Sequence, residues 1–179
     1  MSCPSLTALA KSCGATGVMG GLLSKAYFLA YNDLDTSAGA GFTTSAGDVV
    51  NAVTLKATKK FVEVGLLKNT AGLTEKASID STKGLFWFSQ DFTLVLSGMT
   101  SENRAFLKSV MNQGIVIMFQ ARSGNHYVVG LNGLLELSAA EGGTGTQESD
   151  LNGYTLTFSG IDTEPARLVD STIVAGLIA

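Results

Sequence analysis

Residues 85–96 have the sequence Leu85-Phe86-Trp87-Phe88-Ser89-Gln90-Asp91-Phe92-Thr93-Leu94-Val95-Leu96. Apolar side chains recur there at a period of two, at Phe86, Phe88, Phe92, Leu94 and Leu96. Aromatic and aliphatic residues at this spacing pack on one face of a pleated strand, so the stretch predicts a long, half-buried β-strand. The fold is therefore expected to be built around a sheet.

The same period recurs on both sides of this stretch. The turn Ser123-Gly124-Asn125 separates two apolar runs, which is typical of a β-hairpin, and the polar, glycine-containing residues 139–151 predict a loop. A single, mainly β domain over 1–179 is the expected result. Its further strands are predicted over 25–31, 49–55, 60–66, 115–119, 126–131, 134–137 and 154–159.

One segment has helical spacing instead. Thr100-Ser101-Glu102-Asn103 has the hydroxyl cap and the acidic first turn of a helix N-terminus, and apolar residues follow on one side. A short N-terminal helix is predicted after Pro4, where Cys3 and Cys13 would lie ~15 Å apart as reduced thiols. The predicted fold class is mainly β: a β-sandwich or partial barrel with one flanking α-helix (about 100–112), the short N-terminal helix and a long glycine-rich loop.

That loop covers residues 36–47, which have the sequence TSAGAGFTTSAG. It contains no charge and one large apolar side chain, Phe42, so it cannot bury enough surface to offset the entropy of ordering. We predict an extended, flexible loop or arm that becomes ordered against a neighbouring molecule.

Composition narrows the function classes. The chain has a net charge of −3, a pI near 5.1, one His and two Cys, which argues against a nucleic-acid binder, a zinc cage and a His-based triad. No apolar run is long enough for a membrane span. His126 is interpreted as a strand-end residue, and Asp150 and Asn152 as a turn. We predict no enzyme activity, no catalytic residues, no cofactor and no metal site.

The predicted exterior is unusual because charged residues make up only 15% of the chain. One interpretation is a monomeric sandwich with a neutral surface. The favoured interpretation is a subunit whose sheet edges and loops are buried on self-assembly. The predicted subunit interface comprises loop residues and an apolar C-terminal strand: Gly39, Gly41, Phe42, Thr43, Ile173, Val174 and Leu177.

The order of segments resembles that of the tail-tube (major tail) proteins of tailed bacteriophages. The resemblance lies in the layout and in two stretches, Gly130-Leu131-Asn132-Gly133-Leu134 and 150–158. It implies a structural virion protein whose copies form rings, six to a ring in that family, with inner strands joined into one β-barrel. The rings would stack into a tube, with 36–47 reaching an adjacent ring. The implied partners are other copies and other tail proteins, with DNA passing through the lumen without specific binding. The implied location is the virion, after assembly in the host cytoplasm.

Other functions fit the same pattern. The chain could be a tail terminator, a head–tail connector or a capsid decoration protein. A carbohydrate- or small-molecule-binding β-sandwich would use Trp87, Tyr127 and Tyr154 as a platform, although Trp87 is expected in the core or an interface because its strand is so apolar.

Overall fold

A computed structural model describes residues 20–178 except 38, 46, 148 and 149. Cys3, Cys13 and the predicted N-terminal helix lie outside these residues. The described part forms eleven β-strands and two α-helices, and neither helix is long and apolar enough to cross a membrane. The elements are β1 (Leu22–Ala30), β2 (Phe42–Thr44), β3 (Val50–Val53), β4 (Val62–Gly65), β5 (Gly72–Asp80), β6 (Leu85–Ser97), α1 (Ser101–Val110), β7 (Ile115–Ala121), β8 (His126–Val129), β9 (Glu136–Gly143), β10 (Gly153–Asp162), β11 (Arg167–Val169) and α2 (Ser171–Leu177).

Seven strands form the larger sheet, in the order β2–β3–β11–β8–β7–β1–β4. Its neighbouring strands are antiparallel except for the parallel pair β11 and β3. The predicted hairpin around Ser123-Gly124-Asn125 is confirmed, because β7 and β8 pair antiparallel with Ile117 opposite Val129. Strand β1 lies between β7 and β4, where Phe28 is opposite both Ile117 and Val62.

The smaller sheet has four antiparallel strands in the order β5–β6–β10–β9. Its longest member is β6, which includes the long strand predicted from residues 85–96. One face of the sheet is apolar: Phe92 is opposite Phe158, Leu94 is opposite Leu156, and all four are fully buried. Alternate residues point away from this core, as the two-residue period requires.

Two apolar clusters hold the fold together, one on each face of the larger sheet. The first lies between the sheets, where the Phe28 ring meets Phe92 edge-on at 6.3 Å and is tilted against Phe158 at 5.6 Å, both between ring centroids. The second lies on the far face, where α2 and Phe61 pack over Val116 and Met118. The mainly β prediction is therefore confirmed: the molecule is a sandwich of two sheets with a flanking helix.

The flanking helix α1 confirms the helix predicted over about 100–112. The hydroxyl of Thr100 accepts a hydrogen bond from the Asn103 backbone N–H at 3.2 Å, which caps the helix. The Asn103 side-chain amide donates to the carbonyls of Ser97 and Gly98, both at 2.8 Å. Phe106 packs edge-on against Phe28 at 5.3 Å, so α1 lies against the inter-sheet core where β6 ends.

The C-terminal segment differs from its prediction. Ile173, Val174 and Leu177 belong to α2 and not to a strand. The Asp170 carboxylate accepts a hydrogen bond from the Thr172 N–H at 2.9 Å and so begins a helix despite the β-branched residues that follow. Val174 and Leu177, three residues apart, then lie on the same side and both reach the second core.

Two other segments contain strands where loops were predicted. Residues 139–143 belong to β9, since Ala139 is opposite Thr157 and Gly143 is opposite Gly153. Within 36–47, residues Phe42–Thr44 form β2 and pair with β3. Strand β2 is held to the larger sheet by backbone pairing and by the Phe42 ring, and the composition of the segment reveals neither contribution.

Candidate assembly interface

The smaller sheet has two open edges. Within the described residues, β5 pairs only with β6, and β9 pairs only with β10. Each edge strand therefore presents a row of backbone N–H and C=O groups on its outer side, which is a template for pairing with another chain. Every residue of β9 except Leu137 is exposed.

The two edges run in opposite directions. Each step across β5–β6–β10–β9 is antiparallel, and four alternating strands leave the first and the last with opposite polarity. A second copy rotated about an axis roughly along the strands would therefore place its β5 antiparallel to β9 of the first copy. Antiparallel addition of this kind extends the sheet without changing its hydrogen-bonding pattern.

The outer face of the smaller sheet is polar and carries few charges. A hydrogen-bonded row crosses three of its strands: Ser138 Oγ lies 3.0 Å from Ser159 Oγ, which donates to Asp91 Oδ1 at 2.6 Å. Glu136 and Glu141 are on the same face by register, as is the only Lys or Arg in the four strands, Lys76. With Asp80 and Asp91, the face thus bears four carboxylates and one ammonium group.

The β5–β6 hairpin extends beyond the rest of its sheet. The last residue of β10, Asp162, pairs with Phe88, so the tip from Ile79 to Trp87 has no β10 neighbour. Ile79 is 77% exposed and Phe86 is 60% exposed, with Leu85 also exposed. Such a concentration of apolar surface on a projecting hairpin makes the tip a candidate interaction site.

The turn of this hairpin is fixed by its own hydrogen bonds. The Asp80 carboxylate accepts hydrogen bonds from the Thr82 hydroxyl and from the Thr82 and Lys83 N–H groups. The bond from the Thr82 hydroxyl is the main reason that the pKa of Asp80 lies below its usual value. The apolar tip is therefore carried by an ordered turn.

The four interface residues predicted in the loop lie in and just before β2, an edge strand of the larger sheet. Phe42 and Thr43 are in β2, where Thr43 Oγ1 donates to Asn51 Oδ1 at 2.6 Å. The guanidinium of Arg167 lies 5.3 Å from the centre of the Phe42 ring. Gly39 and Gly41 precede the strand, and their role in a subunit interface stays a prediction.

The three interface residues predicted near the C-terminus are placed differently. Val174 and Leu177 are 7% and 8% exposed, respectively, because α2 covers the second core. The Leu177 carbonyl accepts a hydrogen bond from the Phe61 N–H at 2.9 Å, and Ile173 packs against the same core. They therefore pack within the subunit, and the prediction of a C-terminal strand is wrong because the segment is helical. Their part in a subunit interface stays a prediction.

The aromatic platform of the binding-protein alternative is not assembled. Tyr154 is buried in the first core, and Tyr127 stacks on Phe119 with 5.8 Å between the rings. Trp87 is exposed near the hairpin tip, nine residues along β6 from Leu96, the partner of Tyr154. The three aromatic residues thus do not share a surface.

His126 is the one histidine and lies at the start of β8. Its Nδ1 atom is buried without a hydrogen-bond partner among the described residues. Burial lowers the pKa of this imidazole from its usual value. In the part of the chain that the structure describes, no three His, Cys, Asp or Glu side chains are grouped as metal ligands.

Comparison with protein-family models, with curated proteins and with solved structures finds no match for the chain. Its function must therefore be inferred from its own edges and surfaces. The most distinctive of these are the two β-strand edges of the smaller sheet, which the sequence pattern did not single out. The signal that could have located β9 is the pair of turn dipeptides Asn132-Gly133 and Asn152-Gly153, which bracket it.

Proposed function

We propose that this chain is a structural virion protein that self-assembles into rings, with six copies in each, and that the rings stack into a phage tail tube. The observation that carries the proposal is the pair of open, oppositely directed edges β5 and β9 on one four-stranded sheet. Pairing β9 of each copy with β5 of the next joins the small sheets into a continuous barrel. A closed barrel removes every open edge from these sheets.

The outer face of the smaller sheet would then line the lumen. It carries Lys76 against Asp80, Asp91, Glu136 and Glu141, so its charge has the same sign as that of DNA. Like charge keeps a passing polyanion from adhering to the wall. In this proposal DNA moves through the tube without specific binding, and the protein acts as a conduit with neither catalysis nor cofactor.

Contacts along the tube axis would use parts of the chain that project from the sandwich. The tip of the β5–β6 hairpin is suited to this role because its apolar residues are exposed at one end of the smaller sheet. Strand β2, with Gly39 and Gly41 before it, is a second candidate contact because it is an edge of the larger sheet. Other tail proteins would meet the same surfaces at the two ends of the tube.

Electron microscopy and sedimentation of the purified full chain test this proposal. We expect rings and hollow tubes at high protein concentration. A chain that stays monomeric at every concentration would overturn the proposal, and closed rings that never stack would favour a tail terminator or connector instead.

A matched pair of substitutions tests whether the edge of β9 is responsible. Ala140 is exposed on β9 and is opposite buried Leu156, so Ala140→Lys places a charge at the core side of the edge, where an added strand would cover it. Ala57→Lys introduces the same side chain at an exposed turn outside the smaller sheet. We expect Ala140→Lys to abolish rings while the subunit stays folded by circular dichroism, and Ala57→Lys to assemble like the parent.

A further inference from the structure

The two open edges of the smaller sheet are offset from each other along the direction of the strands. Gly72, the first residue of β5, is level with Thr93 of β6. Gly143, the last residue of β9, is opposite Gly153, which is level with Ser97, four residues farther along β6. Two copies placed at equal height would therefore overlap over only part of these strands. A slide of four residues would bring Gly72 opposite Gly143 and let β5 follow β9 over its whole length.

A slide of this size also gives a strand tilt that is typical of closed β-barrels. Four strands spaced ~4.8 Å apart span ~19 Å, and four residues at ~3.4 Å each span ~14 Å, so the strands would tilt by about 35° from the axis. Closed barrels have strand tilts of roughly 35–45°. A slide of two residues gives only about 20°, so the strand ends and the tilt favour the same register.

This register brings opposite charges together. Counting from Gly72 opposite Gly143, Thr74 is opposite Glu141 and Lys76 is opposite Ala139, with all four on the outer face. Glu141 is then one diagonal step from Lys76, and Glu136 lies on the other side, beyond the irregular pairing near Ser138. Diagonal neighbours are within reach of long side chains. Within the described residues, Lys76 forms no ion pair in its own subunit.

We propose, on the basis of the ring assembly above, that β5 of one copy pairs with β9 of the next in this register, with the Lys76 ammonium held between the partner copy's Glu136 and Glu141 carboxylates. The lysine acts as a register-determining residue. A slip by two residues in either direction moves it away from one of the two carboxylates, and a slip by one residue turns the apolar face of β5 toward the lumen.

Charge reversal tests the pairing. We expect Lys76→Glu and Glu141→Lys each to raise the protein concentration needed for ring formation by about tenfold, because like charges replace an attractive pair. The triple variant Lys76→Glu/Glu136→Lys/Glu141→Lys, which reverses every charge of the contact, should return this concentration to within about threefold of the parent. High salt should reduce the differences. If the parent forms rings and neither single variant changes that concentration, the register is wrong while the proposed function stands.

Cross-linking tests the register without relying on charge. In a Cys3→Ser/Cys13→Ser background, Lys76→Cys with Ala139→Cys would place two thiols directly opposite each other, within disulfide range. Lys76→Cys with Gly143→Cys would place them four residues apart, too far to bridge. We expect covalent ladders of oligomers from the first pair only. Ladders from the second pair alone, or from neither pair in a background that forms rings, overturn the register. A background that never forms rings, like a monomeric parent, overturns the ring assembly itself.

Discussion

Gly153 and Gly143 lie directly opposite each other across β10 and β9, but only Gly153 faces an obstacle. A Cβ at Gly153 would lie 2.0 Å from the carbonyl oxygen of Leu96, whereas a Cβ at Gly143 would meet nothing within 4 Å. Strand β10 can therefore approach the end of β6 only because residue 153 has no side chain. The pair offers two identical substitutions with opposite structural consequences.

We expect Gly153→Ala to lower the free energy of unfolding by about 2 kcal/mol or more, because the strands must separate to admit the methyl group. Gly143→Ala should change it by less than about 0.5 kcal/mol. Urea unfolding of dilute, unassembled protein measures both. Equal effects of the two substitutions would contradict the close packing at Gly153.

The cap of α1 provides a second test. Thr100→Ala removes the hydroxyl that accepts the Asn103 N–H, and we expect a loss of about 1 kcal/mol in the free energy of unfolding. Ser101→Ala, one residue farther along the exposed first turn, should have little effect. Thermal unfolding followed by circular dichroism compares the variants, and an unchanged midpoint for Thr100→Ala would count against the capped helix.

His126 should make stability depend on pH. Its pKa is lowered in the folded protein, so the unfolded chain binds a proton more readily, and the free energy of unfolding falls as pH drops below about 6.5. The full contribution is present above that pH. The chain has one histidine, so His126→Gln should flatten the profile between pH 5 and 7. Urea unfolding across this range measures the free energy of unfolding. If it changed with pH by the same slope in the parent and the variant, the prediction would be wrong.

The hairpin tip should affect stacking more than folding. Phe86 is exposed on the projecting tip, so Phe86→Ser should leave the unfolding midpoint unchanged while favouring single rings over tubes in electron micrographs. Met111→Ser removes a comparably exposed apolar side chain just after α1 and serves as the control. If Phe86→Ser forms tubes of normal length, the hairpin tip does not take part in the contact between stacked rings.

The elements that the sequence predicted well are those with one buried face. Strand β6 shows its period because Phe92, Leu94 and Leu96 reach the inter-sheet core, and α1 shows both its cap and its apolar side. Strand β5 has a weaker signal. It is an edge strand in which Glu75 interrupts the apolar positions Leu73, Ala77 and Ile79, so its core-side face is only partly marked by hydrophobicity.

The C-terminal prediction failed for a different reason. The run Thr172-Ile173-Val174 has high β-propensity, but the cap at Asp170 and the burial of Val174 and Leu177 favour a helix. The open edges were beyond prediction because strand order depends on contacts between distant residues. Nothing local to Glu136–Gly143 or Gly72–Asp80 shows that each has a neighbour on one side only.

The two edge strands of the smaller sheet are not alike: β5 carries a lysine among its charged residues, whereas the charged residues of β9 are both glutamates. Growth by joining two unlike edges is directional, and the contact itself does not limit how many molecules are added. Closure then depends on curvature alone. In the proposed ring, straightening the irregular pairing near Ser138 should therefore change the number of copies that close the circle.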